Sequence, residues 1–247
     1  MDKYVLIVAG GKGLRMGGDL PKQFIPMRGK PLLMHTLEAF HRWDASARII
    51  LVLPEDHQPY WNMLCKEIGC KVPHAIVKGG DTRFFSVKNG LDWLLAERRR
   101  KGEEDSGLSL VAVHDGVRPF VSPEVVEACF DKAAVTGAVI PVVPMIDSLR
   151  ETDEKGSHPV DRSRYMAVQT PQVFHLELLT KAYEQPYSSL FTDDASVVEA
   201  MGHAIDTVPG DRENIKITTP FDLLIAEAMF ALQNDVAFSY QRNRDAR

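Results

Sequence analysis

The chain has 247 residues, of which 45% are hydrophobic and 26% charged, with a formal net charge of −5. That length suits one large α/β domain with an ample core, and the acidic balance opposes a broad nucleic-acid surface, which needs a basic face. No apolar run reaches membrane-spanning length and no signal segment opens the chain, so the sequence predicts a cytoplasmic protein with no membrane contact. Cys65, Cys70 and Cys129 form no Cys-x-x-Cys and have no paired histidines nearby, which reads as structural thiols in a reducing compartment.

Val5 to Val8 is a β-branched apolar run, a strand buried on both faces. It feeds Gly10-Gly11-Lys12-Gly13, a loop whose backbone can turn sharply and offer peptide N–H groups to an anion. Arg15 adds a planar charged fork and Lys22 a mobile point charge, so strand, loop and cations describe a polyphosphate site. A Walker loop fails because Leu14 and Arg15, not Lys-Ser/Thr, follow Gly13. A dinucleotide fingerprint is opposed by Met16, where Gly or Ala belongs, and by the lack of an acid after a second strand near Lys30. A glycine-rich turn with two surface cations is the plainest alternative.

Pro31 stands at a helix start, and Leu32 to Phe40 carries helical apolar spacing. Arg48–Leu53 is a second buried strand, and a helix over 55–68 ends at Gly69, a natural left-handed cap. Val72–Val77 is a third strand. Gly79-Gly80-Asp81-Thr82 then leads into a helix running to about Arg99, where Arg98 to Lys101 suits the helix dipole. Leu108–Val113 delivers His114-Asp115-Gly116-Val117-Arg118-Pro119 to the edge that holds the first loop. Ser122 caps the next helix with Pro123 at its first position, and Gly137–Val143 is a fifth strand. The alternation predicts a doubly wound, mostly parallel twisted α/β sheet with its loops at the strand C-terminal ends.

Residues 145–168 break the alternation. Their polar flanks and the turn Asp153-Glu154-Lys155-Gly156 predict a projecting β-hairpin arm. A hairpin without its own core is only marginally stable, which points to packing on a partner subunit. Thr170–Phe174 then returns the chain to the body. A helix follows from Leu176, Thr192 caps another, and Ala204–Val208 and Asn214–Thr218 read as closing strands before a last helix from Phe221.

Five motifs stand in order: Gly11-x-Gly13-x-Arg15 with Pro21-Lys22-Gln23, His114-Asp115-x-x-Arg118-Pro119, Thr170-Pro171-Gln172, Thr192-Asp193-Asp194-Ala195-Ser196, and Asn214-Ile215-Lys216-Ile217-Thr218. Together they resemble the 2-C-methyl-D-erythritol 4-phosphate cytidylyltransferase family of the non-mevalonate isoprenoid pathway, from Tyr4 to about Glu227. Ribitol-5-phosphate cytidylyltransferases share most of these motifs and remain an alternative. The resemblance implies a single Rossmann-like nucleotidyltransferase domain over 1–247 with its arm at 145–168. It also implies CTP and a polyol phosphate as substrates, Mg²⁺ or another divalent cation, and a homodimer through the arm.

The resemblance further implies roles. Arg15, Lys22 and Lys216 would be catalytic. Ala9, Gly10, Gly11 and Gly13 would meet the nucleotide, Gly80, Asp81 and Ser86 would surround the base, and Asp115 and Gly116 would lie by the ribose. Asp115 would also be the metal ligand, directly or through water. Ser148, Arg162, Thr170 and Thr192 would serve the acceptor, with Arg162 reaching it from the neighbouring subunit. Arg118 fits either a partner behind the direct contacts or a structural ion pair. At Asp147-Ser148-Leu149-Arg150 the family more often has a threonine and a lysine; Ser148 keeps the hydroxyl and Arg150 the charge. Two readings from other classes are an NAD-binding dehydrogenase and a nucleotide-binding regulatory module without turnover.

Overall fold

The computed structural model describes residues 1–10, 20–103 and 107–233. The loop expected to hold Gly11, Gly13 and Arg15 lies outside the described residues.

In chain order the elements are β1 (Asp2–Val8), β2 (Pro26–Met27), β3 (Lys30–Pro31), α1 (Leu32–Trp43), β4 (Arg48–Leu53), α2 (Gln58–Ile68), β5 (His74–Lys78), α3 (Arg83–Lys101) and β6 (Ser109–Asp115). They continue with α4 (Pro123–Thr136), β7 (Ala138–Pro144), β8 (Leu149–Asp153), β9 (Gly156–Val160), β10 (Met166–Val168), β11 (Gln172–His175), α5 (Leu176–Ala182), α6 (Asp194–Glu199), β12 (Asp206–Pro209) and α7 (Pro220–Gln233).

Eight strands form the central sheet, in the order β10-β7-β11-β6-β1-β4-β5 with β12 paired to β7. The β6-β1-β4-β5 half is parallel, as the buried apolar runs require. The other half is mixed: β11 runs antiparallel to both β6 and β7, β10 antiparallel to β7, and β12 parallel to it. Both faces are covered. On β1, Val5 and Ile7 point into a core shared with α1, α2 and α4, while Tyr4 and Leu6 point into one shared with α3, α5 and α6. Alternate burial on two sides is what a continuous apolar strand specifies. A third cluster seats α7 through Ala226 and Phe230 against Leu32, Val117 and Ile217.

The local signals act as expected at several ends. Gly69 takes a left-handed φ of 74° after α2, and the Ser122 hydroxyl accepts from the Val125 amide at the start of α4. Other places differ. Asp193, not Thr192, caps α6: its carboxylate accepts from the Ser196 amide while the Ser196 hydroxyl accepts from the Asp193 amide, a reciprocal box. Asn214–Thr218 is not a strand. It hangs on the body by the Ile217 amide bond to the Val117 carbonyl, 3.0 Å, and by the buried Asn214 side chain. The hairpin is β8 with β9, exposed along most of both strands, while β10, at the end of the expected arm, already pairs with β7 in the main sheet.

β10 and β11 both run antiparallel to β7, but Val168 faces Val142 and Val173 faces Val139. The longer span on the β10–β11 side makes a bulge, with Thr170 and the cis-bonded Pro171 inside it. This bulge brings Thr170 to the C-terminal end of β6.

Candidate active site

A cleft of about 260 Å³ opens at the C-terminal ends of β1 and β6. Its walls are Val8, Ala9 and Gly10, the Lys22–Gln23 turn, the loop and helix start Gly80–Arg83 with Ser86, and Asp115, Val117 and Lys216. Crevices at this edge are where open α/β sheets bind ligands.

Each wall is fixed from behind. Lys22 sits on a short 3-10 turn whose next two residues are buried. The Gln23 side-chain amide donates to the Ala9 carbonyl at 3.0 Å, and Phe24 packs on His57, Tyr60 and Trp61. In the second wall, the Ser86 hydroxyl accepts from the Gly80 amide at 3.1 Å and lies 2.9 Å from the Thr82 carbonyl as donor. Gly80 is required by close approach, since a Cβ there would fall 2.4 Å from the Phe85 Cβ. Gly116 lies just behind the cleft, its amide bonded to the Val8 carbonyl at 2.9 Å.

Asp115 is the electrostatic centre. Its Oδ2 lies 3.0 Å from Lys216 Nζ and 3.2 Å from Arg118 Nε, and its Oδ1 lies 3.9 Å from Arg83 Nε. Burial alone would push this carboxyl up, but Lys216, Arg83 and Arg118 overcome it and hold it well below the usual carboxylate range. Its amide donates to the Thr170 hydroxyl at 3.1 Å, and that hydroxyl also meets His114 Nδ1 at 3.1 Å. Burial lowers His114 to about 4, so this imidazole is neutral, with Nε2 on the Arg118 carbonyl.

The sequence-derived residues therefore divide. Ala9, Gly10, Lys22, Gly80, Asp81, Ser86, Asp115 and Lys216 share the cleft. Arg118 supports it, pairing with Asp115 and donating to the Asn214 carbonyl at 2.7 Å, which fits the ion-pair alternative. Thr170 also stands behind the wall, buried with its hydroxyl already engaged. Ser148, Arg162 and Thr192 are exposed and are not among the cleft's lining residues; the Arg162 guanidinium donates to the Ile146 carbonyl on its own arm.

Arg83 was not singled out from the sequence, yet it lines the cleft and grips the fully buried Asp194 with two bonds of 2.7 and 2.6 Å. A signal for it existed. Arg83 opens α3, where a cation opposes the helix dipole, so a carboxylate partner from elsewhere was to be sought.

Comparison with known proteins decides what this cleft belongs to. The family described as 2-C-methyl-D-erythritol 4-phosphate cytidylyltransferase (IspD) matches residues 4–232. The chain belongs to the 2-C-methyl-D-erythritol 4-phosphate cytidylyltransferase family. It is 56% identical to the protein of that name from Bacteroides fragilis, over 93% of this chain and 100% of the relative. The corresponding protein from Phocaeicola vulgatus is 55% identical over the same shares of the two chains. Among solved structures, 4-diphosphocytidyl-2C-methyl-D-erythritol synthase from Anaerococcus prevotii is similar with a TM-score of 0.74 at 28% identity, covering 93% of this chain and 96% of that one. The cytidylyltransferase from Thermus thermophilus superposes with a TM-score of 0.69 at 32% identity, covering 93% and 98%. As in those cytidylyltransferases, a mostly parallel sheet with helices on both faces carries the chain.

Proposed function

We propose that the chain transfers the cytidylyl group of CTP to 2-C-methyl-D-erythritol 4-phosphate, giving 4-diphosphocytidyl-2-C-methyl-D-erythritol and pyrophosphate. The observation that carries this reading is the convergence of Lys22, Lys216 and Asp115 with the Gly80 loop on one cleft, in a chain of this family. The relatives reported above carry the methylerythritol name, which favours that acceptor over ribitol 5-phosphate.

In the reaction, an oxygen of the acceptor phosphate attacks the α-phosphorus of CTP in line as the bond to pyrophosphate breaks. That oxygen is already ionised near neutral pH, so no general base is required. The difficulty is bringing two polyanions together, which calls for fixed cations and positioning. Lys22 and Lys216 are cations of the cleft suited to this work, with Arg15 as a third by family resemblance. Gly80, Asp81 and Ser86 would border the cytosine, and Ala9, Gly10 and Gly116 the nucleotide's phosphates and ribose.

Mg²⁺ fits this donor set in one way. Among the described residues no three His, Cys, Asp or Glu side chains converge. Asp115, with Asp81 lining the same cleft, would help hold a magnesium nucleotide there, the usual donor set being one or two carboxylates together with substrate phosphates. The ion would neutralise phosphate charge. Lys216 and Arg118, which pair with the same Asp115 oxygen, hold that carboxylate in place.

The acceptor side rests on the arm. Ser148 and Arg162 flank the base of a hairpin without a core of its own, and an arm supplied by a second copy would bring them to a neighbour's cleft. Thr192 would line the same pocket. A homodimer, divalent-metal dependence, a single domain over 1–247 and a cytoplasmic setting complete the proposal. Among the described residues, no helix is long and apolar enough to cross a membrane.

The test is pyrophosphate release from CTP. Release that needs both the divalent cation and methylerythritol phosphate supports the reading. Nucleotide binding without release would leave a regulatory module, and a nicotinamide-dependent absorbance change would point to a dehydrogenase.

A further inference from the structure

We infer that Cys65 and Cys70 form a redox-active dithiol, a modification site that closes to an intramolecular disulfide by exchange with a small disulfide of the glutathione class.

The geometry begins with the end of α2. After Ile68 the chain turns at Gly69 in the left-handed region, and the Cys70 amide donates back to the Cys65 carbonyl at 2.9 Å. This six-to-one bond is the Schellman arrangement, which brings the side chains of those two positions into contact. Apolar residues ordinarily fill them. Here both are cysteines, and each thiol shifts the ionisation of the other.

Both thiols are half-buried, not sealed. A cavity of about 320 Å³, away from the nucleotide cleft, is walled in part by Ile68, Gly69, Lys71 and Val72, with neither cysteine among its lining residues. Cys70 is flanked in sequence by two of these residues. The cavity walls also hold Lys30, paired with Glu38 at 2.6 Å, and the exposed Lys71, a cation for a reagent that carries carboxylates. Cys129, by contrast, is fully buried, and burial pushes its thiol up to about 12. It serves as the internal reference.

The pair divides its roles. The Cys65 hydrogen bond lowers the Cys70 thiol, burial opposes this and the Val72 amide assists, leaving it below the ordinary thiol range; the same bond, with burial, raises Cys65. Cys70, beyond the helix end and flanked by the cavity residues Gly69 and Lys71, is the attacking thiolate, and Cys65, inside α2, is the resolving thiol. In the first step Cys70 sulfur bonds to one sulfur of the small disulfide, whose S–S bond breaks and releases one thiolate. In the second, Cys65 gives up its proton, its sulfur attacks Cys70, and the second small thiol leaves. Two electrons pass from the protein to the small disulfide, which ends as two thiols.

The test uses the full-length protein with oxidised glutathione. Intact mass and peptide mapping should show a Cys65–Cys70 linkage lighter by two hydrogen atoms, reversed by dithiothreitol, with Cys129 still alkylatable after unfolding. Cys65→Ser should instead hold a stable glutathione adduct on Cys70. A lasting adduct on either cysteine of the wild type, a linkage involving Cys129, or no reaction would overturn the assignment. Alkylation of the unmutated protein near neutral pH gives a second readout that needs no variant. Cys70 should react roughly tenfold or more faster than Cys65 and Cys129, and equal rates would overturn it.

Discussion

Arg83 closes both carboxylate oxygens of Asp194, at 2.7 and 2.6 Å, although the two residues lie 111 positions apart in the chain. The Tyr183 hydroxyl donates to the same carboxylate at 2.6 Å, so a fully buried charge is met from two sides. Arg83 also lies 3.9 Å from Asp115 and so joins the start of α6 to the nucleotide cleft. Arg83→Met should destabilise the fold by roughly 3 kcal/mol, the low end for a broken buried pair because the arginine keeps some exposure. Arg83→Lys should recover part of that loss, since it keeps the charge without the fork. Urea unfolding measures both; a loss below about 1 kcal/mol for the methionine variant would show that the pair contributes little.

Lys216 and Lys22 face the cleft from opposite loops. Lys216→Ala and Lys22→Ala should each lower kcat by roughly 10²–10³, the scale of one lost transition-state donor. The fold should survive in the first case, because the Lys216 side chain is 44% exposed and the segment is held by Asn214 and Ile217. Steady-state kinetics with thermal melts would check this, and near-normal turnover would remove that lysine from the mechanism.

His114 gives stability a pH dependence. The folded imidazole titrates at about 4 and the unfolded one near 6.5, so between these values the unfolded chain binds the proton and the folded chain does not. The stabilisation is fully present above the unfolded value and is lost as pH falls toward about 4, by roughly 3 kcal/mol across the window. His114→Gln should flatten the slope of unfolding free energy in that window. An unchanged slope would mean that the imidazole is already charged in the folded protein.

Arg162 tests the arm. Arg162→Ala should raise the acceptor KM while leaving CTP binding intact, since its guanidinium lies outside the cleft of its own chain. Weakened CTP binding with an unchanged acceptor KM would contradict the assignment.

The parts of this molecule specified by local signals were legible in the sequence. Arg48–Leu53 reads as a strand because its apolar run leaves no other reading, and Gly69 and Ser122-Pro123 mark helix ends by their own chemistry. Lys22, Asp115 and Lys216 were reachable through motifs that follow such elements. What failed depends on distant partners. Asn-Ile-Lys-Ile-Thr alternates like a strand, yet its anchors are the Val117 carbonyl and the Thr170 carbonyl, which no local pattern announces. The same holds for β11, which enters the parallel sheet in the opposite sense, and for Arg83, whose partner is known only once α6 is placed. Thr192 lost its cap role to Asp193 because a carboxylate with Ser196 three residues on makes a reciprocal box, a contest between neighbours that composition does not resolve.

The most direct measurement compares kcat/KM for 2-C-methyl-D-erythritol 4-phosphate and ribitol 5-phosphate side by side, with CTP and Mg²⁺, following pyrophosphate. Turnover with both substrates present is expected, with a preference for the methylerythritol acceptor of roughly tenfold or more, within the reach of pocket contacts to one methyl group. A preference for ribitol phosphate, or no pyrophosphate with either acceptor, would contradict the proposed reaction.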